Sequence, residues 1–272
     1  MIGAQKSGTT YLASLLGQSR DVCVSDPKEP QFFSTHFEDG FATYSKCFAD
    51  PAAKIRLDAS TTYSFLRPRA QMETADAPGL LQPVPQRIKD ACPEARFIYI
   101  MRDPVKRAIS ALRHLARTQE FSGQQLSLVD CLKNDPMVTL ISRYSEQIER
   151  YLEVFPKERF LFLDFNDLKN DPEAVLRKTC AFLEIEADDL LMNEPQGEKH
   201  QAYEYTGLGR LARRVFKPDS GLTGLAKTLT PKSLRNKVLI RPSEIEFHDQ
   251  DAAAALFEAD RARVFELTGL KI

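Results

Sequence analysis

Tryptophan is absent from the 272 residues, glycine occurs only 12 times, and the five cysteines are scattered, odd in number and never paired as C-x-x-C. So little glycine excludes a collagen-like chain. Cys23, Cys47, Cys92, Cys131 and Cys180 form no pattern suited to a disulfide framework or a zinc site, so they read as free thiols of a reducing compartment. Charge of one sign is also lacking, since 37 Lys+Arg against 38 Asp+Glu leave a net charge of −1. No whole-molecule field then draws the protein onto nucleic acid or an anionic membrane, and any anion site must be local.

No stretch approaches the roughly 18 consecutive apolar residues of a membrane span. Met1 leads into Ile2-Gly3-Ala4-Gln5 rather than a basic and then apolar leader, so the chain as written is expected to be cytoplasmic. Met1-Ile2 supplies only two residues before a glycine turn, against about five or six for an ordinary strand. The natural chain is therefore expected to begin several residues upstream, and localisation would follow whatever targeting or anchoring segment those residues carried.

What is present is 43% hydrophobic and 28% charged, the balance of a globular protein with a sizeable core. Short apolar runs at Val22-Cys23-Val24, Ile55-Arg56-Leu57, Phe97 to Met101 and Phe160 to Leu163 read as buried parallel strands. Helical patterns follow at Thr10 to Gln18, Val105 to Arg117, Ser142 to Phe155 and Pro172 to Leu183, with Pro104 and Pro172 in first-turn positions. Strands alternating with helices predict an α/β fold with a central, mainly parallel sheet, helices on both faces, and ligands beyond the carboxyl ends of the strands. Gln71 to Gln86 and Glu194 to Lys217 break the rhythm and read as surface loops or lids.

Gly3-Ala4-Gln5-Lys6-Ser7-Gly8-Thr9-Thr10 has the spaced glycines and hydroxyls of a phosphate-binding strand-loop-helix. In the triphosphatase pattern G-x-x-x-x-G-K-[ST] a lysine follows the second glycine and reaches the β- and γ-phosphates. Here Thr9 takes that place and the cation has moved to Lys6, which favours a donor whose transferable group carries less charge. The plainer alternative is a Gly-Thr turn with Thr9 or Thr10 capping a helix. A second cluster, Arg102-Asp103-Pro104-Val105-Lys106-Arg107-Ala108-Ile109-Ser110, puts Arg102 at a strand's carboxyl end and Ser110 two turns into the next helix. Both could converge on one phosphate; otherwise this is a basic, amphipathic helix with solvated arginines.

Together these elements resemble the sulfotransferases that use 3′-phosphoadenosine 5′-phosphosulfate (PAPS), releasing adenosine 3′,5′-bisphosphate (PAP). The resemblance implies a single P-loop-like domain over residues 1–272. It also implies that Gln5, Lys6, Ser7, Gly8, Thr9 and Thr10 hold the 5′-phosphosulfate, and that Arg102 and Ser110 hold the 3′-phosphate in the family's R-[DN]-P-x-x-R-x-x-S setting. Pro27-Lys28-Glu29-Pro30-Gln31-Phe32-Phe33 is similar to the K-E-P-x-F-F segment of heparan sulfate and related carbohydrate sulfotransferases, whose glutamate is the catalytic base. Asp164 to Pro172 with Phe182-Leu183 is similar to the family's E-D-L-x-x-D-P…F-L-G stretch, and Leu256 to Leu270 to its terminal helix. The chain departs from the pattern where the family's S-P-x-Y is Ser60-Thr61-Thr62-Tyr63, and it lacks the cysteine pair of the heparan enzymes' carboxyl-terminal loop. Gly207-Leu208-Gly209-Arg210 is a loose match to the basic loop that closes over the donor, with Arg210 the candidate contact.

On this reading Lys6 neutralises the leaving phosphate and Glu29 is the general base, held ionised by Lys28; the alternative is a surface Lys-Glu pair. His36 is the rival base. Lys28, His36 and Tyr63 are candidates for acceptor contact, Tyr63 and Phe65 being either cleft or core. Arg213, Arg214 and Lys217, with Arg210, either cover the donor or form a solvated face. The expected function is metal-independent transfer of a sulfuryl group to a hydroxyl or amine of a carbohydrate, lipid or small molecule. The competing readings are a small-molecule or nucleotide kinase with a divergent phosphate loop and a non-catalytic nucleotide-binding protein.

Overall fold

A computed structural model describes residues 1–65, 84–116, 125–187 and 245–272, together with the backbone of 203–205 and 240–242. The described elements in chain order are α1 (Thr9–Leu16), β1 (Val22–Val24), α2 (Phe41–Ser45), β2 (Ile55–Leu57), α3 (Val84–Ala91), β3 (Phe97–Met101) and α4 (Pro104–Leu115). There follow β4 (Gln125–Ser127), α5 (Leu128–Asn134), α6 (Pro136–Ser142), α7 (Ser145–Leu152), β5 (Phe160–Asp164), α8 (Phe165–Asn170) and α9 (Pro172–Leu183). The last are β6 (Tyr203–Tyr205), β7 (Ile240–Pro242), β8 (Glu246–His248), α10 (Gln250–Ala255) and α11 (Glu258–Thr268).

The four expected strands are parallel pairs, β1 with β2 and β3 with β5. The opening residues join them. Ile2 N donates to Ile98 O at 3.0 Å, Ala4 N to Ile100 O at 2.7 Å, and the Met1 amine to Asp58 O at 2.6 Å. This places the short first segment between β3 and the end of β2, giving an order β1, β2, residues 1–4, β3, β5. Gly3 there lies against Tyr99, where a Cβ would come within 2.4 Å of the ring. Only glycine lets the backbone approach so closely.

Alternation along β3 and β5 sorts the core onto two faces. Ile98, Ile100, Leu161 and Leu163 pack with Leu12 and Leu16 of α1 and Leu176 and Leu183 of α9. Phe97, Tyr99, Met101, Phe160 and Phe162 face the other way, toward Ile88 of α3, Ile148 and Tyr151 of α7 and Val264 of α11. Ile100 is 0% exposed. Ile100→Ala is expected to cost about 2–5 kcal/mol in urea denaturation, because the flanking strand and the helices α1 and α9 limit collapse of the cavity; a loss below about 1 kcal/mol would contradict this packing.

Helix starts follow local chemistry. Asp103, Asp135 and Asp171 each cap the helix that begins at the next residue, a proline, by accepting from the backbone N–H of Lys106, Val138 and Ala174. Because Ser142 closes α6 and Arg143 is extended, the helix expected over Ser142 to Phe155 is shorter, running as α7 from Ser145 to Leu152. Its first N–H groups are taken by Asp260 of α11, which accepts from Tyr144 N and Ser145 N at 2.9 Å. Val84 to Gln86, expected in a loop, open α3 with Pro85 in its first turn; the remainder of Gln71 to Gln86 and nearly all of Glu194 to Lys217 lie outside the described residues. Further on, β4 pairs in parallel with β8, and Asp249 accepts from Leu128 N and Ser127 Oγ at 2.7 Å each.

Candidate active site

The loop from Gly3 to Gly8 leaves the sheet between β2 and β3 and enters α1. Gly8 has φ 83° at the N-cap, and a Cβ there would meet Leu168 and Phe165 at 3.0–3.1 Å, so its glycine is required by conformation and by space. Lys6 also adopts a left-handed φ, 70°, which is uncommon for a side-chain-bearing residue and recurs where function requires it. Its Nζ lies 2.9 Å from His114 Nδ1 on α4. Ser7 is fully buried, and among the described residues its Oγ has no hydrogen-bond partner.

Arg102 extends β3 toward the same loop. Its Nη1 donates to Lys6 O at 3.2 Å, and its guanidinium lies 4.8 Å from the centroid of the Phe165 ring. Burial lowers its pKa from the ordinary arginine value, and its Nε is buried without a partner among the described residues. Tyr144 Oη donates to Arg102 O at 2.9 Å, fixing this end of the strand. Asp103 caps α4 through one carboxylate oxygen and pairs with Arg261 Nη2 at 2.7 Å through the other. Ser110 is partly buried on α4. Arg107 is fully buried, in contrast to the solvated helix face that the basic sequence allowed.

The segment after β1 supplies the other wall. Lys28 Nζ pairs with Glu29 Oε1 at 2.7 Å and donates to Thr10 Oγ1 at 3.2 Å. One ammonium therefore touches both the candidate base and the end of the Gly3 to Thr10 loop. Glu29 Oε2 accepts from Thr61 Oγ1 at 3.1 Å and Thr61 N at 3.4 Å. Glu29 keeps 30% of its side chain exposed, so the carboxylate is held yet reachable.

The structure thus brings together Lys6, Ser7, Gly8, Thr10, Lys28, Glu29 and Arg102, with Gln5 and Thr9 in the same loop. His36 stands apart, exposed, with Nδ1 3.2 Å from Asp39 Oδ2. Tyr63 is in the core, 5% exposed, its hydroxyl donating to Asp58 Oδ2 at 2.6 Å. Burial and the Asp58 carboxylate push its phenol far above the ordinary tyrosine value. Arg210 lies outside the described residues. Among the described residues no group of three or more His, Cys, Asp or Glu side chains is arranged to hold a metal, and no helix is long and apolar enough to cross a membrane.

A model of the family described as "Sulfotransferase family" matches residues 1–189, which contain the loop, the Lys28-Glu29 pair and the Arg102 to Ser110 cluster. The chain belongs to the sulfotransferase family. It is 25% identical over 202 residues to human bifunctional heparan sulfate N-deacetylase/N-sulfotransferase 3, covering 68% of this chain and 22% of that protein. It is 27% identical over 191 residues to mouse heparan sulfate glucosamine 3-O-sulfotransferase 6, covering 67% of this chain and 51% of the relative. The chain thus spans only a part of these relatives' length. The crystal structure of a sulfotransferase from Alicyclobacillus acidocaldarius superposes with a TM-score of 0.63 at 23% identity, over 100% of this chain and 95% of the other, and shares its fold.

In this member of the family, sequence reasoning gave no site role to His114, Thr61 or Phe165. His114 follows Ser110 by one helical turn on α4, so i, i+4 spacing was a usable signal for its place on the same face. Thr61 was noticed only as a departure from the family's proline, and nothing local pointed to its bond with Glu29. Phe165, beneath Arg102, sat in a matched stretch without any role assigned to it.

Proposed function

We propose that this sulfotransferase transfers a sulfuryl group from PAPS to a hydroxyl or amine of a carbohydrate, with Glu29 as general base and Lys6 as the cation at the leaving phosphate. The observation that carries the reading is the Lys28 ammonium bonded at once to Thr10 and Glu29, which ties the base to the phosphate loop. The residues suit such a donor: Ser7 Oγ, in the loop beside Lys6, and Arg102 Nε, whose guanidinium bonds the Lys6 carbonyl, are buried, polar and unpartnered among the described residues. Buried polar atoms without partners are rare in native folds and call for a ligand or water. Lys6, Ser7, Gly8, Thr9 and Thr10 would hold the phosphosulfate end, and Arg102 with Ser110 the 3′-phosphate. A carbohydrate acceptor is supported by the names of the relatives, which refer to heparan sulfate.

PAPS supplies a sulfuryl group on a phosphate that departs as an anion. Glu29 takes the proton from the acceptor's O–H or N–H, and the freed lone pair forms the new bond to sulfur. The bond from sulfur to the bridging oxygen breaks, its electron pair staying on the phosphate of PAP, where Lys6 meets the growing charge. Lys28, paired with Glu29 at 2.7 Å, holds the carboxylate close to the loop.

Calorimetric titration with PAP, with 5′-AMP and with magnesium ATP tests the donor. Micromolar PAP binding is expected, weakened about 10- to 100-fold in Arg102→Ala, the scale of a lost hydrogen bond to a charged group. Binding of 5′-AMP, which lacks the 3′-phosphate, should be little affected and so reports that the fold survives. Preference for magnesium ATP over PAP would overturn the reading in favour of a kinase.

A further inference from the structure

Glu29 is held from an unexpected side. A carboxylate offers about four lone-pair sites, two on each oxygen. Lys28 Nζ occupies one on Oε1, while Thr61 Oγ1 and Thr61 N fill both on Oε2. One site, on Oε1, is left for a proton. The terminal torsion of a glutamate is broad, so without a partner on the Oε2 side the carboxylate plane swings and the free lone pair of the other oxygen loses its direction.

Thr61 is itself immobilised. It is 3% exposed and opens the short turn Thr61–Ser64 after β2. The segments around Glu29 and Thr61 are joined by Ala59 N to Lys28 O at 3.2 Å, Gln31 N to Ser60 Oγ at 2.9 Å, and Ser34 Oγ with Thr62 Oγ1 at 2.8 Å. Asp58 Oδ1 accepts from Ser60 N at 2.9 Å, anchoring the turn to the end of β2. The hydroxyl of Thr61 therefore reaches the Glu29 side chain from a backbone frame that is cross-linked to Glu29's own segment and anchored to β2.

We propose that Thr61 is a positioning residue that locks Oε2 of Glu29 and so selects Oε1 as the oxygen that takes the acceptor's proton. The proposal rests on the reading of Glu29 as general base. Proline at this position would offer neither the hydroxyl nor the N–H, so the device belongs to threonine or serine.

The test compares Thr61→Val, Thr61→Ser, Glu29→Gln and the double variant Thr61→Val/Glu29→Gln. PAP release from PAPS is followed with N-desulfated heparin as acceptor and with water alone. Thr61→Val keeps the shape and the N–H but loses the hydroxyl, and kcat is expected to fall about 10- to 30-fold, the scale of a modest misplacement of a reacting group. KM and PAP affinity should stay within about twofold, and Thr61→Ser should restore turnover to within about threefold, because it keeps the donor. In the Glu29→Gln background the valine should have no further effect, since residues acting through one group are not additive. Wild-type turnover in Thr61→Val, or equal losses in the valine and serine variants accompanied by a lower Tm, would overturn the proposal. Wild-type turnover in Glu29→Gln would instead overturn the base assignment beneath it.

Discussion

Lys6→Ala is expected to lower kcat by about 10²- to 10³-fold, the cost of removing one charge-stabilising group from a preorganised site. PAPS affinity should change by less than about tenfold, because the charge that Lys6 meets is undeveloped in the bound donor and grows only toward the transition state. PAP, which carries that charge in full, should bind more weakly. The loop's own geometry explains why the lysine is placed for this. Its backbone is left-handed at φ 70°, its carbonyl receives Arg102 Nη1, and its Nζ reaches His114 on the helix that carries Ser110. The ammonium thus spans the interval between the phosphate loop and α4. Lys6→Arg should recover little, since the planar fork needs a different approach from a compact point charge. Single-turnover rates beside PAPS affinities measured without acceptor check the result, and an unchanged kcat in Lys6→Ala would remove the residue from the mechanism.

The parts of this molecule that could be read from sequence are those whose physics is local. The run Phe97 to Met101 is apolar at every position because both sheet faces are covered, and it lies in the core as a parallel strand. Pro104 and Pro172 announce helix starts because a proline first turn, here with an aspartate cap before it, acts within a few residues. The loop Gly3 to Thr10 is recognisable because its glycines and hydroxyls are consecutive. What escaped depends on distant partners. The break between α6 and α7 is sustained by Asp260, more than a hundred positions away, and β4 exists only through β8. In α4 the apolar Val105, Ala108 and Ile109 marked the buried face, yet Arg107 is buried with them, a placement that no periodicity rule assigns to a charged residue. The candidate site divides in the same way. Lys6, Glu29 and Arg102 were found by motif, whereas His114 and Thr61, which hold two of them, come from elements remote in sequence.

Glu29→Gln is expected to reduce transfer by about 10²- to 10⁴-fold, the range of a general base. Glutamine is close to glutamate in shape and can still accept from Thr61, so the cradle between the two segments should persist and PAP affinity should stay near that of the wild type. What is lost is the capacity to take a proton, together with the charge that attracts Lys28 from 2.7 Å. His36→Ala supplies the contrast. That imidazole is exposed, pairs with Asp39 within its own turn, and makes no bond to the phosphate loop or to Lys28 among the described contacts, so its removal should change kcat by less than about twofold, as for a surface substitution. Turnover of both variants with N-desulfated heparin and with desulfated heparan sulfate, measured beside PAP affinity, decides the matter. Loss of transfer in His36→Ala with full activity in Glu29→Gln would move the base to the histidine, and the Lys28 bridge would then serve the phosphate loop alone.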